Sequence, residues 1–343
     1  MNRKRIALLA LFFMVCGFLV YGQTAPRVYI SGSCLDGVTV KACYWVDGER
    51  VVLEERVDLP DGASVAIGIA VENGNVYVAG KYDVVYISNS RYVRVPCYWV
   101  NGVKSVPRLE GVSYREEYWY YATGIAVTDG KVYVTGYYEN RGSSSVTYDS
   151  YVWIDGVRTG LGGDSRQYVR GITIIDGTAC FLYPSSYTFY GQSQSLVGNT
   201  TGITVAGGRI YVSGYNNYYD RSSNATLYTA HYWVDGTRVD ITQPSRNVLG
   251  TTGIAVANDT VYVSGWYRQG ENSNDPTIAC YWANGTRIDL ANGVSTSGIA
   301  VANGNVYVIG YFRQGSVSIP CYWVNGERRA LPGGRSVTGI VVK

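Results

Sequence analysis

Four cysteines and one histidine occupy the same position in a phrase that the sequence repeats. Cys43, Cys97, Cys280 and Cys321 each precede Tyr-Trp, and His231 takes this position in AHYWVDG. Cysteine and histidine together bind zinc, and a cysteine paired with a histidine can act as a nucleophile. Because no repeat supplies more than one such residue at this position, we expect these side chains to be spread over separate structural units. The repeat therefore has to be understood before any site.

Three short phrases recur in a fixed order. A phrase such as TGIAV (123–127 and 252–256) is followed by one such as VYVSG (261–265), and then by CYWV with Asn-Gly or Asp-Gly. The unequal gaps between units favour propeller blades of about 40–50 residues over a solenoid of near-identical rungs. Seven copies of the first phrase occur, and their glycines are Gly68, Gly124, Gly171, Gly202, Gly253, Gly298 and Gly339.

Each unit predicts four strands, which we name A (GIAV), B (VYVxG), C (CYWV) and a short D. Asn-Gly and Asp-Gly between apolar runs indicate two-residue hairpin turns. The first VYISG (28–32) has no strand A before it, and the last TGIVV (338–342) has no strand B after it. The sequence thus predicts an all-β fold, a seven-bladed β-propeller over 23–343 in which the C-terminal strand completes the first blade. The fourth blade, about 171–200, lacks the Tyr-Trp phrase and is predicted to be eroded.

The first 22 residues have the pattern of a secretory signal peptide. Arg3, Lys4 and Arg5 precede an apolar run over 6–20. This run is shorter than the roughly 20 residues of a spanning helix, although a retained membrane anchor or a lipoprotein signal through Cys16 is an alternative. We expect an exported protein, in the periplasm, at the cell surface or outside the cell, with no membrane span once the signal is removed.

The charges do not indicate a polyanionic partner. The chain has 29 basic and 26 acidic residues, and three of the basic residues belong to the signal, so the rest is neutral. Neither nucleic acid nor an anionic membrane is predicted as a partner. The sequence also lacks zinc-ligand spacing, a phosphate-binding loop and an EF-hand, so no metal or cofactor is predicted. It does not indicate an oligomeric state.

The repeated cysteines are predicted to be small buried residues without disulfide partners. Equivalent positions on neighbouring blades lie about 10 Å apart, which is beyond the reach of a disulfide. Within the first blade, a turn at Asp36-Gly37 would pair Ile30 with Cys43 and place Cys34 opposite Thr39. The repeated tryptophans and the tyrosines before them alternate between sheet faces, so we predict that they pack between blades and do not form a ligand platform.

Function is expected on the rim that carries the long B–C and D–A loops, because the A–B and C–D turns of the other rim are short and alike. The long loops are rich in Tyr, Asn, Ser and Arg, which suit a glycan or protein ligand. Arg170 replaces the Thr before most strand A glycines, and we predict that it points into the channel mouth. The alternative is that these tyrosines only pack the hairpins together. The predicted binding residues are Tyr114, Trp119, Tyr120, Tyr121, Arg170, Trp266, Tyr267 and Arg268.

Three functions are compatible with this rim. The first is an exported binding or scaffold module, and the second is a structural component of the cell envelope. The third is a polysaccharide hydrolase or lyase, which needs two carboxylates about 5–10 Å apart at the channel mouth. No catalytic residue is predicted, since the only histidine lies in a core strand. The candidate carboxylates are Glu116, Glu117, Asp149 and Asp164.

The repeat resembles secreted bacterial β-propeller repeat proteins, including those with HAF-type extracellular repeats. The resemblance rests on the Gly-containing strand A, the strand B that ends in Gly, and the aromatic-Trp-x-(Asp/Asn)-Gly hairpin, over nearly all of 27–343. The HAF signature has His-Ala-Phe before the tryptophan, whereas this chain has Cys-Tyr or His-Tyr. The resemblance implies export and a propeller fold, but no particular reaction.

Overall fold

A computed structural model describes residues 25–53, 63–86, 91–105, 118–141, 145–163, 165–270, 272 and 274–343. Of these, 83–86, 91–94, 118–119 and 141 are described by their backbone alone. The predicted signal peptide lies outside the described residues. Within the described part of the chain, no helix is long and apolar enough to cross a membrane.

The chain forms seven antiparallel sheets of four strands each. Their innermost strands adjoin one another in a closed circle around a central channel. The strands are β1 (Val28–Asp36), β2 (Thr39–Val46), β3 (Glu49–Val52), β4 (Ser64–Glu72), β5 (Asn75–Tyr86), β6 (Arg91–Val100), β7 (Val103–Ser105), β8 (Tyr118–Thr128), β9 (Lys131–Arg141), β10 (Val146–Ile154), β11 (Val157–Gly160), β12 (Gly171–Ile175), β13 (Thr178–Tyr183), β14 (Ser186–Phe189), β15 (Gln192–Ser195), β16 (Asn199–Ala206), β17 (Arg209–Asp220), β18 (Ala225–Val234), β19 (Thr237–Asp240), β20 (Val248–Ala257), β21 (Thr260–Arg268), β22 (Thr277–Ala283), β23 (Thr286–Asp289), β24 (Gly293–Ala302), β25 (Asn305–Gln314), β26 (Val317–Val324), β27 (Glu327–Ala330) and β28 (Gly334–Val342).

The first blade is built from both ends of this ring. Its strand order is β28-β1-β2-β3, and blades 2 to 7 each use four consecutive strands. Val28 of β1 pairs with Val342 of β28, and the pairing continues through two hydrogen bonds between Arg27 and Lys343 (2.6 and 3.0 Å). The predicted seven-bladed propeller, closed by its C-terminal strand, is confirmed.

The fourth blade is complete despite its divergent sequence. Strands β12 to β15 form a four-stranded sheet with very short strands. Its C–D turn uses Tyr190-Gly191, with φ of 48° and 71°, where other blades have Asp-Gly or Asn-Gly. A four-stranded blade thus occupies the region where the sequence lacks the Tyr-Trp phrase.

Neighbouring blades are held together by the Tyr-Trp pair of strand C. Trp45 packs into the space between blades 1 and 7, where it meets Ile309. Tyr44 points the other way and packs against blade 2, beside Val78 and Trp99. Strand alternation sends the two rings to opposite faces, and each ring removes on the order of 150–250 Å² from water. The repeated aromatics thus form the inter-blade core, as predicted.

The Asp or Asn of each C–D turn also holds strand B. In blade 1, the Asp47 Oδ1 accepts a hydrogen bond from the Val28 amide at 2.8 Å, and the Asp47 amide donates to the Val28 carbonyl at 2.9 Å. This residue takes a positive φ, which Asp and Asn tolerate better than other side chains. We call this two-bond contact the turn clamp. It recurs at Asn101, Asp155, Asp235, Asn284 and Asn325.

The glycine that ends each VYVxG phrase lies against a bulge in strand A. A Cβ on Gly214 would collide with the Asn199 carbonyl and come within 2.5 Å of the Trp233 ring. The same collision with strand A backbone occurs at Gly32, Gly80, Gly136, Gly265 and Gly310. Only glycine fits against the bulged inner strand, and at Gly80, Gly214 and Gly265 the strand C tryptophan limits the space as well, which explains this part of the repeat.

Gly214→Ala is therefore expected to lower the free energy of unfolding by about 1–3 kcal/mol, the usual cost of overpacking a core. Gly160→Ala on the outer strand β11 is the matched control, because a Cβ there meets nothing within 4 Å. Urea unfolding of both variants measures the difference. Equal urea midpoints for the two variants would show that the bulge and Trp233 can move to accommodate a Cβ without loss of stability.

One predicted register is wrong. The B–C turn of blade 1 is Gly37-Val38, so that Asp36 pairs with Thr39 and Cys43 lies opposite Gly32. Gly37 has a φ of 61° and occupies the first central position, where a type II′ turn requires glycine. The predicted Asp36-Gly37 turn placed Cys43 opposite Ile30. The observed shift moves Cys34 towards Cys43.

Candidate functional site

Six of the seven inner strands turn one side chain into the channel mouth by means of a β-bulge; in blade 4 the corresponding residue, Arg170, lies just before β12. In blade 5, Thr200 pairs with Gly214 and Gly202 pairs with Ser213, so that Thr201 is the extra residue. A bulge re-aims its extra side chain. The corresponding residues precede the strand A glycine in every blade, and we call them the mouth ring. They are Thr338, Ile67, Thr123, Arg170, Thr201, Thr252 and Ser297, in blades 1 to 7.

Three hydroxyl groups of the mouth ring tie their blade to the next one. Thr201 bonds the Thr251 hydroxyl of blade 6 at 2.7 Å. Thr252 repeats the contact with Thr296 of blade 7, also at 2.7 Å. Thr338 donates to the backbone carbonyl of Ala66 in blade 2 at 3.0 Å. These groups form a band of partly buried hydroxyls around the mouth.

Arg170 continues this pattern with a different side chain. Its guanidinium donates to the Thr200 carbonyl of the next blade at 2.8 Å, which is the bond that Thr338 makes to Ala66. Its backbone amide donates to the Leu182 carbonyl at 2.7 Å and fixes the residue just before β12. The guanidinium also lies 5.6 Å from the centre of the Tyr168 ring. Arg170 thus links two blades and brings a positive charge to the mouth.

A cavity of about 580 Å³ opens at this position. It lies at the start of the inner strands, on the rim of the long loops. Six members of the mouth ring line it, together with the threonines that precede three of them and with three tyrosines. The described lining is Ile67, Tyr121, Ala122, Thr123, Tyr137, Tyr168, Arg170, Thr200, Thr201, Thr251, Thr252, Thr296 and Ser297.

The three tyrosines form one side of the cavity. Tyr121 stacks on Tyr137, with ring centres 4.9 Å apart and planes inclined by 22°. Tyr168 lies 4.4 Å from Tyr137 on the other side, and Tyr148 closes the cluster from behind. Burial raises the pKa of Tyr137, and Tyr168 and Tyr121 raise it further, so its hydroxyl stays protonated and can donate a hydrogen bond. We call Tyr121, Tyr137 and Tyr168 the tyrosine wall.

The predicted binding residues fall into separate places. Tyr121 and Arg170 come together in the lining of the cavity. Tyr120 is buried and packs near Tyr138. Tyr267 is also buried, with its hydroxyl donating to Asp289 at 2.9 Å and the Arg287 guanidinium 3.8 Å above its ring. The last two tyrosines thus belong to blade packing.

The remaining predicted residues do not line the cavity in the described part of the chain. Trp266 is half-buried on β21, opposite Gly250. Arg268 is also half-buried, and its amide donates to the Asn247 carbonyl at 2.6 Å. Tyr114 lies outside the described residues, and Trp119 is described only by its backbone in β8.

Of the four candidate carboxylates, only Asp149 lies among the described residues. Asp149 accepts a hydrogen bond from the Tyr138 hydroxyl on the hairpin of blade 3 and does not line the cavity. Glu116, Glu117 and Asp164 lie outside the described residues. The described lining contains no carboxylate. Among the described residues, no group of three or more His, Cys, Asp and Glu could hold a metal ion.

Sequence reasoning did not select Tyr137, Tyr168 or the threonine band as binding residues. Tyr137 directly follows the strand B glycine Gly136 and pairs with Tyr121 across the strands. Tyr168 stands two residues before Arg170. A signal was available in the Thr-Gly that opens the strand A phrase. A bulge at this dipeptide would have turned its threonines towards the channel.

Several solved structures are similar to the chain at low sequence identity, and no sequence family matches it. No protein-family model and no curated protein sequence match it. Trypanosoma rangeli sialidase in complex with the inhibitor DANA is 10% identical over 82% of this chain and 56% of that protein, with a TM-score of 0.42. The match thus spans little more than half of the sialidase.

Two smaller proteins are matched over most of their length. The native arabinanase of Bacillus subtilis is 13% identical over 63% of this chain and 92% of its own, with a TM-score of 0.33. An exo-1,5-α-L-arabinanase from a bovine ruminal metagenomic library is 9% identical over 78% and 98%, with a TM-score of 0.31. At these values the names describe those proteins and not this chain.

Proposed function

We propose that this protein is an exported propeller that binds a glycan in the cavity at the channel mouth. The observation that carries the proposal is the cavity itself, in which a tyrosine wall faces a band of hydroxyls. Its volume of about 580 Å³ lies within the range of about 300–1,000 Å³ that is usual for small-ligand pockets. A concave site of this size favours a sugar unit over a flat protein surface. Export is inferred from the signal pattern of the sequence.

The lining has the two kinds of group that a sugar requires. The apolar C–H face of a pyranose can lie against the tyrosine wall, whose rings present apolar area with a polar end. Sugar hydroxyls can exchange hydrogen bonds with Thr123, Thr201 and Thr252, since a threonine hydroxyl both donates and accepts. Thr201 and Thr252 are fixed by bonds to the next blade and Thr123 by a bond to Thr135 of its own blade, so little side-chain freedom is lost on binding.

Tyr121→Ala is expected to weaken glycan binding about tenfold, because one face of the wall is lost. Binding is measured by screening a glycan array and then by calorimetry with the sugars retained. Tyr218→Ala is the matched control, since Tyr218 is an exposed tyrosine of the same rim and does not line the cavity. Retention of full affinity by Tyr121→Ala, or absence of any retained glycan, would contradict the proposal.

Arg170→Thr restores the residue that most other blades have in the mouth ring. The variant is expected to fold as the wild type does, because threonine makes the same link to the next blade at Thr338. It removes the only charged side chain of the described lining. Affinity for sugars with an acidic group is expected to fall about tenfold, while affinity for neutral sugars is unchanged. Calorimetry with one acidic and one neutral sugar of the same size measures this difference, and an equal loss for both would show that the charge is not used.

A further inference from the structure

The first blade brings two cysteines side by side. Cys34 on β1 pairs with Lys41, and Gly32 pairs with Cys43 on β2, so the two cysteines are diagonal neighbours on one face of the hairpin. Cys43 lies opposite Gly32, which has no side chain of its own. Both side chains are 0% exposed and belong to the core cluster around Trp45. Both are free thiols, and each shifts the pKa of the other through the contact between their side chains.

Other blades have no cysteine at the position of Cys34. Two residues after the strand B glycine, the chain has Tyr82, Tyr138, Tyr267 and Phe312 in blades 2, 3, 6 and 7. A cation from strand D covers three of these rings, namely Lys104 over Tyr82 at 3.5 Å, Arg287 over Tyr267 at 3.8 Å and Arg328 over Phe312 at 3.8 Å.

Blade 1 replaces this stacked pair with a pair of thiols. Its strand D arginine, Arg50, has no ring to cover and donates to the Leu35 carbonyl at 3.1 Å. The change of residue type at Cys34 is therefore accompanied by a rearranged partner. Cys280 and Cys321 are equivalent to Cys43 in blades 6 and 7. In these blades the position of Cys34 is taken by Tyr267 and Phe312.

We propose that Cys34 and Cys43 are oxidised to an intrachain disulfide as the protein folds in an oxidising compartment, with a protein disulfide or oxidised glutathione as the electron acceptor. The bond would join β1 to β2 in the blade that closes the ring. It replaces the prediction from the sequence that none of the repeated cysteines has a disulfide partner. That prediction rested on the Asp36-Gly37 turn, which placed Cys34 opposite Thr39.

The exchange takes two steps. The thiolate of Cys34 attacks one sulfur of the acceptor disulfide, a mixed disulfide forms, and the other acceptor sulfur leaves as a thiolate. Cys43 then loses its proton, and its thiolate attacks the Cys34 sulfur and releases the second acceptor thiolate. The two cysteines lose two electrons and two protons in total, and the acceptor becomes two thiols. The contact with Cys43 lowers the pKa of the Cys34 thiol, whereas burial raises the pKa of Cys43, which makes Cys34 the first nucleophile.

Peptide mapping tests this directly, because Lys41 lies between the two cysteines. The protein is refolded in a mixture of reduced and oxidised glutathione, alkylated with N-ethylmaleimide in denaturant at pH 6.5, and digested with trypsin without reduction. We expect peptides 28–41 and 42–50 to be recovered as one linked species that separates on reduction. Cys280 and Cys321 are expected to carry maleimide. Recovery of Cys34 and Cys43 as maleimide adducts, or in disulfides with other cysteines, would overturn the proposal.

The thermal midpoint gives a second test that does not depend on peptide recovery. A disulfide closing a loop of this length is expected to raise the midpoint of the oxidised protein by about 3–6 °C over the reduced protein. Cys34→Ser is expected to abolish this difference, and Cys280→Ser, the matched control at the equivalent strand C position, is expected to keep it. A wild-type protein with equal midpoints in the two redox states would contradict the proposal, as would a difference that persists in Cys34→Ser.

Discussion

Deletion of residues 334–343 is expected to abolish the folded state. This segment contains β28, the inner strand of blade 1, which contributes Val337, Ile340 and Val342 to one core cluster and Val341 to the next. Full burial of an aliphatic side chain is worth about 1.5–3 kcal/mol. Val337 is buried and the other three are partly buried, so their loss costs on the order of 4 kcal/mol. A natural domain is stable by only about 5–15 kcal/mol in total. The deletion also opens β1 as an unpaired edge, which favours aggregation.

The measurement is far-ultraviolet circular dichroism and size-exclusion chromatography of the truncated chain, which we expect to be aggregated or without a cooperative transition. A circular permutant separates the role of the strand from the role of its position in the chain. Lys343 lies beside Arg27 through two backbone hydrogen bonds, so an Asn-Gly turn can join them, as Asn303-Gly304 joins strands A and B of blade 7. The permutant would begin at Gly333 and end at Pro332.

We expect this permutant to fold with a thermal midpoint close to that of the wild type, because every strand keeps its neighbours. A truncated chain that unfolds cooperatively at the wild-type temperature would contradict the assigned role of β28. A permutant that fails to fold while the wild type folds would show that joining the ends strains the blade.

His231 is expected to make the protein less stable as the solution is acidified from pH 6.5 to pH 4. The ring is 0% exposed, and within the described residues neither of its nitrogens has a hydrogen-bond partner. It lies edge-on to Trp233, with ring centres 4.4 Å apart. Burial, which is the largest cause, and the nearby Arg238 together lower the pKa of His231 to about 4, against smaller opposing effects of Asp240 and the Thr229 backbone.

The direction of the effect follows from where the proton binds. A histidine in the unfolded chain has a pKa near 6.5. Between pH 6.5 and 4, His231 is therefore protonated in the unfolded chain but neutral in the folded protein. Stability is fully present above pH 6.5 and is lost progressively down to pH 4. A difference of about 2.5 units in pKa corresponds to about 3 kcal/mol.

His231→Cys is the matched variant, since cysteine is the residue that four other blades have at this position. The two proteins are expected to have similar free energies of unfolding at pH 7, and the variant is expected to be the more stable by about 3 kcal/mol at pH 4. Urea unfolding at half-unit intervals between pH 4 and 7 measures the divergence. Parallel curves for the two proteins would mean that the folded blade accepts the proton without penalty.

The blades could be predicted because their sequence repeats the physical requirements of one structure. Asp47-Gly48 and its equivalents need positive φ, and the Tyr-Trp pair needs two inter-blade spaces, so each repeat carries its own evidence for a hairpin and for packing. The closure by β28 followed from counting strands. The predicted position of the B–C turn in blade 1 was wrong because the sequence allows two hairpin registers. One has its turn at Asp36-Gly37 and the other at Gly37-Val38. The pairing of the strand B glycine with strand C, seen as Gly80 opposite Cys97, distinguishes them.

The cavity could be located only in part. Arg170 stands out in the sequence because it interrupts a series of threonines, and the structure places it in the lining. Tyr120 and Tyr121 are adjacent and look alike, yet one is buried between blades and the other faces the cavity. Side chains alternate between the two faces of β8, and the bulge at Thr123 sets which of the two tyrosines points to the cavity. Bulges leave little trace in a single sequence, since the extra residue has no required type.

The turn clamp has a consequence for how this molecule can change over generations. Blade 1 closes its B–C hairpin with two residues, whereas blade 5 extends β17 and β18 as far as Asp220 and Ala225. Both hairpins are held at the opposite rim by the same contact, through Asp47 and Asp235. Insertions, deletions and substitutions at the hairpin tips thus accumulate without disturbing the blade that carries them. The propeller can acquire a new specificity by exchange of its loops while its folding information stays in the short turns.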